Sequence, residues 1–276
     1  RLVGHTLSTL VETVRPGVTL LELDARAERV IRDGGGIPSF LGYHGFPATL
    51  CLSPNDWIVH GIPNGYVLSE GDILSIDCGA IVEGWHGDAA VTVPVGQVDD
   101  AARRLIETTE RAMWAGIAQV RAGNRLSDIG HAVEKVAAAP GYGVVREYVG
   151  HGIGTRMHEE PQVPNYGRPG RGLRLEVGLA LAIEPMVNEG SPESRVLEDG
   201  WTVVTRDGSR SAHFEHTVAI TPDGPEVLTL LDGARQQDWL PAAAQRRAWP
   251  TSVDAAASPA LVQACIRVLA EWGWEE

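Results

Sequence analysis

The sequence predicts an α+β fold built of two similar halves that close around one site. Three observations predict it. Stretches with apolar residues at helical spacing alternate with short apolar runs of strand character. Segments of the first half recur in the second at offsets of 106 and 107 residues. Acids stand at corresponding places in both copies.

The elements follow in order. In "RLVGHTLSTLVETV" (1–14), Leu2, Val3, Thr6, Leu7, Leu10, Val11 and Val14 fall at helical spacing and predict an amphipathic helix. In "VRPGVTLLELDARAERV" (14–30), Thr19 and Glu22 form a capping box that opens a second helix. Its counterpart is "VRAGNRLSDIGHAVEKV" (120–136). Val, Arg, Gly, Leu, Glu and Val coincide, and Glu22/Asp128, Leu23/Ile129 and Arg29/Lys135 are similar. "GDILSID" (71–77) aligns with "GLALAIE" (178–184), two apolar runs that each end on an acid, as buried strands do. "WHGDAAVTV" (85–93) aligns with "AHFEHTVAI" (212–220) at offset 127, which sets His213 against His86 and Glu215 against Asp88. The larger offset implies a longer connection in the second half. A period of this length is too long for a solenoid.

The chain has 276 residues, 43% hydrophobic and 21% charged, an ordinary composition for a soluble protein with a sizeable core. A formal charge of −13 argues against nucleic-acid binding and against an anionic membrane surface. It suits a protein whose acids are partly neutralised by cations. Cys51, Cys78 and Cys265 cannot all pair and form no CxxC, so a reducing, cytoplasmic setting is expected. No apolar run has the length of a membrane span, and the first residues are too interrupted for a signal peptide. A chain that begins with Arg implies a few missing or processed leading residues.

The first half's acids can be placed from register alone. "DILSIDCGAIVEGWHGDAAVTV" reads as a strand, a two-residue turn at Glu83-Gly84, and a returning strand. Residue 82 then pairs with 85, 79 with 88 and 77 with 90, and 77, 79, 88 and 90 share one face. Asp77 and Asp88 become diagonal neighbours roughly 7–8 Å apart at the backbone, with Gly79 leaving room between them for an ion. If the repeat holds, Glu184 and Glu215 form the same arrangement. A lone strand acid is more often turn-proximal or salt-bridged than a ligand. Four buried anions together are unstable unless some protonate or cations join them. Two divalent cations cancel the four charges; Co, Mn, Fe and Zn suit carboxylate and imidazole, at about 3.5–4 Å separation.

"YVGHGIGTRMHEEP" (148–161) lacks the Gly-Lys-Ser/Thr of a phosphate loop. Its glycines allow close backbone approach, which makes His151 a candidate metal ligand, although a lone histidine is more often a satisfied core or surface residue. His158 is too far along the chain to be a helical i+4 partner. A turn between two strands would return it over the site as a polar donor.

"NDWIVHGIP", "SIDCGAIVEGWHGD", "YVGHGIGTRMHEEPQVPNYG", "AIEPMV" and "AHFEHT", with their spacings, resemble the motif set of the type I methionine aminopeptidases of the pita-bread fold, over roughly residues 1–235. The resemblance implies that Asp77, Asp88, His151, Glu184 and Glu215 are the five ligands of a dinuclear centre, with Asp88 and Glu215 bridging. It implies that Glu184 also accepts a proton, that His60 lies near the scissile amide nitrogen, and that His158 contacts the substrate carbonyl. It lines a methionine pocket with Tyr43, Phe46, Cys51, Met157 and Trp201, which without the resemblance read as ordinary core. Asn55, Trp57 and Ser211 match positions that hold a monovalent cation in some members. His44 is either a polar donor behind the site or a loop residue. His213 and Phe214 depart from the common Gln and Tyr, Met157 from a frequent aromatic, and Gly79 from a Thr carried by some members.

The implied activity is removal of N-terminal methionine from peptides and nascent chains, near the ribosome and as a monomer, with no nucleic-acid or membrane partner. A proline-directed relative (prolidase or aminopeptidase P) and a non-catalytic pita-bread binding protein are the alternatives. Residues 236–276 read as an extension: an Ala- and Pro-rich linker, then a short helix capped at Ser258-Pro259 with Cys265 on its apolar face.

Overall fold

The computed structural model describes residues 1–235; the expected linker and the Ser258-capped helix lie outside the described residues. Within them the helices are α1 (Leu2–Val11), α2 (Leu20–Asp33), α3 (Asp100–Ile117) and α4 (Leu126–Ala137). α1 buries Val3, Thr6, Leu7 and Leu10, the predicted stripe. The Thr19–Glu22 capping box opens α2 with both reciprocal bonds. At the start of α4, Asp128 accepts the Arg125 N–H at 2.7 Å, as Glu22 accepts that of Thr19 at 2.7 Å. Backbone bridges Thr19↔Val67 and Arg125↔Arg174 repeat the same entry geometry. The duplication read from the sequence is therefore present in three dimensions.

A nine-stranded antiparallel sheet forms the middle layer. Its main path runs Ile37–Pro38, Ile73–Val82, Trp85–Pro94, Glu215–Thr221, Ala180–Ile183, Gly150–Gly152, Glu159–Val163. Trp85–Pro94 and Glu215–Thr221, one from each half, pair at its centre through Glu215↔Ala90 and His216↔Ala89. Leu74, Ile76, Cys78 and Ala80, with Ala89, Val91, Leu181, Ile183, Val218 and Ile220, pack against the helices in one core. Period-two alternation then turns Asp77, Asp88, Glu184 and Glu215 to the opposite face. No helix among the described residues is long and apolar enough to cross a membrane.

The first hairpin has the expected register: Val82↔Trp85, Gly79↔Asp88, Asp77↔Ala90. Its turn residues Glu83 and Gly84 both have left-handed backbone, φ 52° and 83°, as a type I′ turn demands. The second half differs from the expected copy. His216↔Ile183 ends the pairing, so this ladder stops one residue short of Glu215 and Glu184 instead of running through both acids as it does through Asp77 and Asp88. Pro185 has no N–H to continue the ladder. The chain leaves the sheet there and returns only at Glu215, through Met186–Asn188 and Ser211–His213, which pair with each other in a separate three-stranded sheet.

Candidate metal centre

Asp88 and Glu215 come from the two central strands, and their backbones are locked where those strands meet. The Asp88 N–H donates to Thr217 Oγ1 at 2.9 Å, and the Thr217 hydroxyl donates to the Asp88 carbonyl at 2.8 Å. Both acids are nearly sealed from solvent, at 3% and 2% exposure. Asp77 lies diagonal to Asp88 in the hairpin register, through Asp77↔Ala90 and Gly79↔Asp88.

His151 enters from the short strand Gly150–Gly152, held between Ala180–Ile183 and Glu159–Val163. The flanking glycines are steric requirements. A Cβ on Gly150 would collide with the Ala182 carbonyl, and one on Gly152 with the Glu160 carbonyl. His151 Nδ1 donates to the Gly152 carbonyl at 2.8 Å. That bond fixes the tautomer and leaves the Nε2 lone pair free, 3.4 Å from Glu184 Oε1. Glu184 places its other oxygen, Oε2, 4.0 Å from His213 Nε2.

Two groups of donors result. Asp88, His151 and Glu215 present ligand atoms within 4.8 Å of one another, and so do Glu184, His213 and Glu215. Glu215 belongs to both. Asp77 Oδ1, Asp88 Oδ1, Glu215 Oε1 and His213 Nε2 are buried without a hydrogen-bond partner. Buried polar atoms are otherwise almost always paired. His213 is the member that sequence reasoning placed only as a departure; its alignment with His86 was the available signal.

Burial holds these groups away from charge. It pushes Asp77 up to about 7. It raises Asp88, Glu184 and Glu215 well above the carboxylate range, with repulsion among the acids adding to it. It lowers His151 and His60 to about 4 and His213 to about 3. The metal-stripped protein then has a defined pH response. The histidines, depressed below 6.5, make stability rise with pH only up to about 6.5. The acids, raised above 3.8 and 4.5, hold protons longer folded than unfolded, so their stabilisation fades as pH rises towards their folded values. Above pH 6.5 only the acids act, and the Tm of the stripped protein is expected to fall with pH, checked by thermal denaturation in chelator.

Beside the acids, Phe40, Phe46, Ala48, Cys51 and Met157 form a buried apolar cluster, with Tyr43, Ile62 and Trp201 packed against it. All five expected pocket residues meet here, and Phe46 stands edge-on to Trp201 at 5.1 Å. Phe40 was missed. A Cβ on Gly79 would lie 2.7 Å from the Phe40 ring. The space at Gly79 is therefore filled by an aromatic ring rather than left for an ion.

His158 returns over the site on the turn between Gly150–Gly152 and Glu159–Val163, its ring 4.3 Å from that of His151. Its Nδ1 is 2.8 Å from the Tyr43 hydroxyl. His60, with left-handed backbone at φ 58°, stands edge-on to Tyr148 at 5.5 Å. His44 is exposed on the Tyr43–Gly45 turn, a loop residue lying against the Tyr43 ring. The Ser211 N–H donates to the Asn55 carbonyl at 2.8 Å. The Asn55 side chain is engaged by Tyr66, Asp72 and the Ile73 N–H.

The duplicated sheet gathers carboxylates and imidazoles on the face opposite its main helix-packed core, as a metal centre does, and the chain belongs to metallopeptidase family M24, whose model matches residues 1–222. Among its relatives, the methionine aminopeptidase of Clostridium perfringens is 53% identical over 231 residues, 84% of this chain and 93% of that protein. The crystal structure of methionine aminopeptidase from Rickettsia prowazekii has a TM-score of 0.82 at 44% identity, covering 83% of this chain and 93% of that one. A prolidase from Pyrococcus furiosus shares the pita-bread fold at TM-score 0.66, with 21% identity and 60% of its chain covered.

Proposed function

We propose that this chain hydrolytically removes the N-terminal methionine of peptides and nascent proteins, using two divalent cations held by Asp77, Asp88, His151, Glu184 and Glu215. The observation that carries the reading is the membership of Glu215 in both donor groups, as a carboxylate bridging two ions requires. The orphaned buried oxygens fit the same reading, since carboxylates left without donors are suited to cations. When bound, such ions supply Lewis acidity and a water nucleophile active near neutral pH.

The chain's own groups do the rest. Glu184, whose carboxylate is made more basic by burial and its acidic neighbours, takes the proton of the attacking water. His158, held by the 2.8 Å contact of its Nδ1 with the Tyr43 hydroxyl, presents an Nε2 proton to the substrate carbonyl as negative charge develops there. His60, kept neutral by burial, faces the departing nitrogen. The Phe40–Phe46–Cys51–Met157 cluster takes the methionine side chain, and the sulfurs offer soft, polarizable contact to a thioether. Residues 1–235 form the catalytic domain in this reading. Asn55, Trp57 and Ser211 mark a candidate monovalent-cation position, and a cytoplasmic monomer working near the ribosome fits the activity.

The prolidase likeness carries fold alone, whereas identity near one half links the chain to methionine aminopeptidases. Metal-loaded protein is expected to cleave Met-Ala-Ser and to leave Xaa-Pro peptides intact. Cleavage of only the Xaa-Pro peptides overturns the assignment.

A further inference from the structure

We infer that His213 is itself a metal ligand, adding a second imidazole nitrogen, beside that of His151, at Glu184 and so biasing that side of the centre towards Fe, Co, Ni or Zn over Mn. The inference rests on the dinuclear reading above and extends its ligand set.

His213 is 2% exposed, yet its Nε2 has no hydrogen-bond partner. Leaving a buried ring nitrogen unpaired is costly. Its nearest acid oxygen, Glu184 Oε2, is 4.0 Å away, too far for a hydrogen bond. That gap is no longer than twice a metal–ligand bond of about 2.0–2.2 Å. The His213 nitrogen, a Glu184 oxygen and a Glu215 oxygen all lie within 4.8 Å of one another. Three donors around a gap of ion size, with none satisfying another, is the geometry of a set of metal ligands rather than of a hydrogen-bond network.

The ring is held there. The His213 N–H donates to Thr92 Oγ1 at 2.8 Å, and the Thr92 hydroxyl donates to the His213 carbonyl at 2.7 Å. Met186 pairs with it from the neighbouring strand. The equivalent residue of the first half, His86, differs: its Nδ1 is 3.0 Å from the Ser39 hydroxyl. Of the two aligned histidines, only His213 has a fully buried ring nitrogen without a partner among the described residues. Glu184 is thereby set between two imidazoles, Oε1 towards His151 and Oε2 towards His213. Imidazole suits Zn, Fe and Ni and carboxylate suits Mn and Mg, so a second imidazole beside that of His151 moves the preference further from Mn.

Pulsed EPR of the full chain loaded with Mn(II) counts imidazole nitrogens directly, and the expected count is two, falling to one in His213→Gln. Competition between Mn(II) and Co(II) or Zn(II) is expected to shift towards Mn(II) in the variant by about tenfold or more. Circular dichroism checks that the variant is folded; should it not fold, the nitrogen count of the unmodified protein still decides. A count of one with unchanged metal preference overturns the role of His213 and leaves the dinuclear centre standing. Absence of divalent binding in both proteins overturns both.

Discussion

Asp88→Asn and Glu215→Gln proteins are expected to stay folded while losing turnover about a thousandfold or more, since even residues that only orient a metal ligand cost tenfold to a hundredfold. Each substitution keeps shape and volume, so the pairing of the two central strands, made by Thr217 and the backbone, survives. Without metal, burial and mutual repulsion already favour the neutral form of both acids. A neutral amide therefore suits the stripped fold. Only the loaded state needs the negative charge, and the amide nitrogen turns a donor towards the cations. Melting temperature in chelator should change little, metal content should drop, and kcat on Met-Ala-Ser should collapse. Near-normal turnover of either variant in metal-containing buffer contradicts the bridging role.

The second large effect concerns stability. Ions that bind only the folded chain stabilise it by mass action, by about 4 kcal/mol each at a free concentration a thousandfold above Kd. For a domain of this size each kcal/mol moves Tm by about 2–4 °C. Chelation is thus expected to lower Tm by roughly 8–16 °C per ion, with recovery on reloading. Scanning calorimetry with and without chelator reads it. The gap should widen as pH rises above 6.5, because only the stripped protein keeps unneutralised acids that resist ionisation. An unchanged Tm on verified metal removal contradicts the charge-cancellation argument.

What the sequence made legible divides along physical lines. Alternation and turn chemistry fixed the first hairpin to the residue, because Glu83-Gly84 admits one tight register and a one-residue slip would bury the acids among the helices. The duplication was legible because residues recur at one offset around a helix start, where Thr19 and Glu22 leave a short, local signature. The second pair of acids was assigned to the right face, but to a continuous hairpin, whereas the pairing of their strands stops one residue short of both. Pro185 ends one strand, and no local rule specifies where a chain rejoins a sheet thirty residues later. Gly79 illustrates the same boundary. Its need for space was readable, but Phe40, which fills that space, approaches from a distant segment. His213 was visible as an unusual residue, and only tertiary structure shows that its nitrogen lacks a partner. The pocket needed the family resemblance, since Tyr43, Phe46, Cys51, Met157 and Trp201 are spread over the chain and no periodicity joins them.

The claim on which the rest depends is that paired cations neutralise this cluster of acids. Anomalous diffraction from crystals grown with Co(II) or Mn(II) tests it most directly. The account predicts two peaks per chain, both within bonding distance of Glu215, one beside the facing pair His151 and Glu184 and the other beside Asp77. No peak among these acids in metal-replete crystals, or peaks bound elsewhere on the surface, would contradict it.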